Sequence, residues 1–73
     1  MVFIRKKTTA EREAGILTRL IYGALEKENI RKIYGDINSP KFEEMVAILA
    51  NQFNISSEIS NLTIARVRLE TIN

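Results

Sequence analysis

The 73-residue chain has no cysteine and no histidine, only one proline, and Asp36 as its only aspartate. These gaps exclude whole classes of chemistry. Without cysteine there is no disulfide framework and no thiolate nucleophile, a composition that fits a reducing interior. Without histidine there is no imidazole base, so Ser-His-Asp and Cys-His groupings are impossible. A zinc site of ordinary type needs those same two residues. A calcium loop needs clustered acidic residues around a glycine turn, and a single aspartate does not supply them. Glycine is also sparse. Gly15, Gly23 and Gly35 stand alone, and none precedes a Lys-Ser/Thr pair, so there is no phosphate-binding loop. The close carboxylate pairs, Glu11/Glu13 and Glu43/Glu44, lie in the first turns of expected helices, where the helix dipole accounts for them. The expectation is a chain that is not an enzyme and takes no cofactor or metal.

No apolar run approaches the roughly 18–20 residues that span a bilayer. In the opening Met1-Val2-Phe3-Ile4-Arg5-Lys6-Lys7 the charges follow the apolar residues, the reverse of a signal peptide. No membrane association and a cytoplasmic location are therefore expected. The apolar fraction of 45% argues for a folded globule. The net charge of +2 is a small difference between eleven basic and nine acidic residues, so it permits nucleic-acid binding without arguing for it. A chain of this size buries only about 60% of the surface its unfolded form exposes. With disulfides and metals excluded, a homo-oligomer, most simply a twofold dimer, is expected.

Periodicity divides the chain into a basic N-terminal arm, residues 1–8, and a single helical domain, residues 9–73. Thr8-Thr9-Ala10-Glu11 fits a capping box and opens a helix over about residues 9–28. In it Ala10, Ala14, Leu17, Leu20, Ile21, Ala24 and Leu25 form one stripe about 140° wide. Ile30, Ile33, Tyr34 and Ile37 repeat at helical spacing, with Gly35 as terminator or turn. Ser39 as N-cap, Pro40 at the first helical position and Glu43 and Glu44 behind it open another helix. Its buried stripe reads Phe42, Met45, Val46, Leu49 and Phe53, and Asn54 closes it in left-handed geometry.

The last segment supports two readings. As a helix over about 57–71, capped by Ser56, it aligns Ile55, Ile59, Leu62, Ala65, Leu69 and Ile72 on one face. As a strand, residues 63–71 alternate well and could pair with Val2-Phe3-Ile4-Arg5. The fold class is accordingly all-α, a small bundle of three to four helices, with an α+β fold carrying a short terminal strand pair as the alternative.

Two surfaces are candidates for function. On the first helix, Gly15, Ile16, Arg19, Tyr22 and Gly23 lie away from the main stripe. A helical glycine costs about 1 kcal/mol relative to alanine, a cost that close approach of a second backbone would justify. This points to a self-associating interaction or regulatory module that binds another protein. The alternative is a DNA-binding regulator that uses residues 40–71. Leu49, Ala50, Phe53 and Ile55 resemble a helix-turn-helix layout, and Ser57, Ser60, Asn61 and Arg68, with Arg5, Lys6 and Lys7 of the arm, would face nucleic acid. Two features depart from that layout. The apolar residue expected after the turn comes one position early, at Ile59, with Ser60 in its place, and Ile64 falls on the supposed reading face. Ser56-Ser57-Glu58-Ile59 also resembles the second half of a ribbon-helix-helix, one residue short.

Overall fold

A computed structural model describes residues 8–71. The chain is all-helical there. Helix α1 (Thr9–Leu25) starts where the Thr8 side-chain oxygen accepts from the Glu11 backbone N–H at 3.1 Å. The same hydroxyl donates to the Glu11 carboxylate at 3.2 Å. α1 ends three residues earlier than its periodicity suggests. At Glu26 and Lys27 the backbone N–H groups turn back to the Tyr22 and Ala24 carbonyls, and the chain reverses into α2 (Glu28–Tyr34).

α2 has seven residues, no side-chain N-cap and no buried residue. Ile30 and Tyr34, with Ile37 beyond it, are partly buried against the core, whereas Ile33 stays 53% exposed. A helix this short does not hold itself together in water, so α2 depends on its packing against α1 and the third helix. Gly35 ends it in right-handed geometry, its N–H bonded to the Arg31 carbonyl at 2.9 Å. A β-carbon at Gly35 would collide with that carbonyl, which is why glycine stands there.

α3 (Pro40–Gln52) follows an Asp36 turn, in which the Asp36 carboxylate accepts from the Asn38 N–H at 3.1 Å. Ser39 caps it by accepting from the Lys41 N–H at 3.1 Å. Phe42, Met45 and Val46 are buried as the stripe implied, but Phe53 is 53% exposed and Ala50 is buried instead. The stripe breaks because the chain leaves the helix at Phe53 and passes through Asn54 at φ 54°, in the left-handed region expected of that asparagine. Ile55 then turns inward and fills the place assigned to Phe53.

α4 (Ser57–Thr71) settles the last segment as helix, not strand. Ser56 accepts from the Ile59 N–H at 3.4 Å as its cap. Val2-Phe3-Ile4-Arg5 and Ile72 lie outside the described residues. Only the start of the expected apolar stripe is covered, with Ile55 buried and Ile59 partly buried against the core, and beyond it α4 turns a different face inward. Ser60, Thr63, Ile64 and Val67 point inward, whereas Leu62, Ala65 and Leu69 face solvent. Two polar residues can be buried here because their hydroxyls bond back along the helix. Ser60 donates to the Ser56 carbonyl at 3.1 Å and Thr63 to the Ile59 carbonyl at 2.7 Å. With the hydroxyls satisfied, their small side chains let α4 lie close against α1 and α3. The core then comprises Leu17 and Ile21 from α1, Phe42, Met45, Val46 and Ala50 from α3, Ile55 from the turn, and Ile64 and Val67 from α4.

Candidate functional site

The residues expected to face nucleic acid do not form one accessible surface. Arg5, Lys6 and Lys7 lie outside the described residues. Ser57 and Asn61 are exposed, but Ser60 is only 6% exposed and its hydroxyl is already used within α4. Arg68 is half-buried and committed. Its Nε donates to the Ile37 carbonyl at 2.6 Å and a terminal nitrogen to the Glu43 carboxylate at 3.0 Å. Arg68 thus ties α4 to α3 and to the link before it, and Glu43 neutralises its charge.

The α3–turn–α4 segment nonetheless keeps part of the burial pattern that a helix-turn-helix layout calls for. Ala50 and Ile55 are buried on either side of the left-handed Asn54, and Ser60 and Thr63 supply the inward positions of the second helix. Hydroxyl residues do there what apolar residues were expected to do. Ile64 is buried as well, so it does not interrupt the outer surface. That outer surface offers Ser57, Asn61 and Arg66 alongside Glu58, Leu62, Ala65, Leu69 and Glu70, a mixed set with no basic excess to draw a phosphate backbone.

On α1, Ile16 is 41% and Tyr22 45% exposed, Arg19 and Gly23 are exposed, and Gly15 is half-buried. A β-carbon on Gly15 or Gly23 would meet nothing within 4 Å, so no close approach inside the described chain accounts for either glycine. Gly15, Thr18 and Arg19 line a groove of about 220 Å³ with Arg66, Val67 and Glu70 of α4. A larger open groove, about 570 Å³, runs between α3 and α4 past Glu44, Ala47, Asn51, Ser57, Asn61 and Ile64. No buried side-chain polar atom among the described residues lacks a partner, so none is held ready for a ligand.

The feature missed from the sequence is the outward side of α4. Leu62 is 60% exposed, Leu69 is 74% exposed, and Ala65 between them is exposed too. At 100° per residue these three fall within about 60° of one another, opposite the centre of the buried arc. The signal was present as an apolar stripe, but an amphipathic pattern does not say which partner covers it. No helix among the described residues is long and apolar enough to cross a membrane. Comparison with protein-family models, curated proteins and solved structures finds no match.

Proposed function

We propose that the chain is a non-enzymatic interaction module that binds a protein through the outward side of α4. The observation that carries this reading is the apolar stripe Leu62-Ala65-Leu69, left facing water by a bundle whose core is already closed by other residues. One exposed leucine needs no explanation, but an aligned set on one helix is a docking feature. Full burial of a leucine side chain is worth about 1.5–3 kcal/mol, so covering what remains exposed of Leu62 and Leu69 contributes about 1–2 kcal/mol each. A nucleic-acid regulator is the less supported reading. Arg68 is neutralised by Glu43, Ser60 is buried, and Glu58 stands on the face that would meet phosphates.

The test is photo-crosslinking in the native host, with a photoreactive residue in place of Leu62, Leu69 or, as control, the exposed Lys32 of α2. Protein adducts at positions 62 and 69 that are absent at 32 are expected. Equal labelling at all three positions, or none, would remove the proposal.

A further inference from the structure

The outward side of α4 also says what covers it. Leu62, Ala65 and Leu69 follow the three-then-four spacing of a coiled-coil seam, which selects a helix as the occupant. Charge then selects the helix and its direction. Glu58 stands on the same side in the first turn of α4, and Arg66 flanks the seam two turns further on. Arg66 is paired at 3.2 Å with Glu70 of its own helix, in a solvent-exposed contact that is weak enough to exchange for Glu58 of another copy. A parallel copy of α4 would set Glu58 against Glu58 and Arg66 against Arg66. An antiparallel copy sets each Glu58 near the Arg66 of the other, and opposed helix dipoles favour the same direction.

We propose that the occupant is a second copy of this chain, paired through antiparallel α4 helices about a twofold axis between Leu62 and Ala65. Leu62 of each copy packs beside Ala65 of the other, whose small side chain leaves room for it. Leu69 of each copy covers the turn that carries Glu58 of the other. The inference rests on the reading of α4 as the interaction face. A 15-residue helix is about 22 Å long and 10–12 Å across, so the seam covers roughly a few hundred Å² per copy. That is well under the roughly 800 Å² per partner of a standard stable interface. The pairing is therefore reversible, with dissociation in the micromolar range or weaker, and each protomer stays folded when apart.

Sedimentation equilibrium of the full chain, from micromolar to millimolar concentration, tests this. Wild type should pass from monomer to dimer across the range, while Leu62→Glu stays monomeric with unchanged helicity by circular dichroism. Leu69→Gln serves as a second variant if Leu62→Glu fails to fold. Glu58→Arg and Arg66→Glu should each weaken self-association by roughly tenfold, and an equimolar mixture should recover it as a heterodimer. Residues 58 and 66 of one helix are two turns apart, so recovery on mixing cannot arise within one chain. A wild type that stays monomeric, a dimer indifferent to Leu62→Glu, or swaps that do not rescue each other would overturn the proposal. Photo-adducts at positions 62 and 69 with a different protein would overturn the second-copy assignment alone. Absence of adducts at those positions would remove the α4 reading with it.

Discussion

Val67 and Leu69 sit two residues apart on α4, and truncating each to alanine tests the orientation of that helix. Val67 is 2% exposed and Leu69 is 74% exposed. Val67→Ala removes two buried methyl groups at about 0.8 kcal/mol each and leaves a small cavity beside Ile64 and the core of α1 and α3. The better helix propensity of alanine returns about 0.5 kcal/mol, so the net loss is about 1.5–2.5 kcal/mol. Leu69→Ala removes more carbon, about 2.4 kcal/mol if it were all buried, but only about a quarter of that surface is out of water. Its net cost is about 0–0.5 kcal/mol. Urea denaturation followed by far-UV circular dichroism, at dilute protein so that association plays no part, reads the difference. With a slope of about 1 kcal/mol per molar for a chain this small, the midpoint should fall by about 1.5–2.5 M for Val67→Ala and by at most about 0.5 M for Leu69→Ala. An equal or larger shift for Leu69→Ala would mean that α4 buries its leucine side, and both proposals built on that face would fall with it.

Gly23→Ala should raise stability by about 0.5–1 kcal/mol in the same denaturation assay, because the site is helical and open. If Gly15→Ala behaves likewise and neither variant changes the sedimentation profile, the outer face of α1 takes no part in assembly. Gly35→Ala should go the other way and lower stability by more than about 1 kcal/mol, because its β-carbon would strike the Arg31 carbonyl. Stabilisation by that substitution would refute the close approach. Arg68→Ala should cost about 1–2 kcal/mol by the same assay, through lost bonds to the Ile37 carbonyl and Glu43. Arg68→Lys should recover only part, since lysine lacks the planar fork that reaches both acceptors. Full recovery would show that charge alone matters there.

Local signals were legible in the sequence wherever the deciding physics is local. The caps at Thr8, Ser39 and Ser56 lie where hydroxyl residues precede apolar periodicity, because a cap is a contact across three residues or fewer. Gly35 and Asn54 mark helix ends for the same reason, and the inward stripes of α1 and α3 hold for Leu17, Ile21, Phe42, Met45 and Val46. Of the candidate sites, the sequence placed Ile16, Arg19 and Tyr22 together on the outer face of α1. It did not show that Arg68 would be tied to Ile37 and Glu43, partners 31 and 25 residues away in the chain.

Residue pattern alone determined that α1 and α3 are helical, how those two begin, and which catalytic chemistries the side chains cannot perform, while it left residues 63–71 open between helix and strand. Only tertiary structure decided which side of α4 turns inward, where α1 stops, and that Phe53 yields its place to Ile55. The stripe Leu62-Ala65-Leu69 shows why. A periodic apolar face records that the helix has a partner, and it reads the same whether that partner is the chain's own core or lies outside it. The choice turned on Ser60 and Thr63, whose hydroxyls bond back to their own helix and so let a nominally polar side become the buried one. Only the packing of α4 against α1 and α3 reveals that exchange.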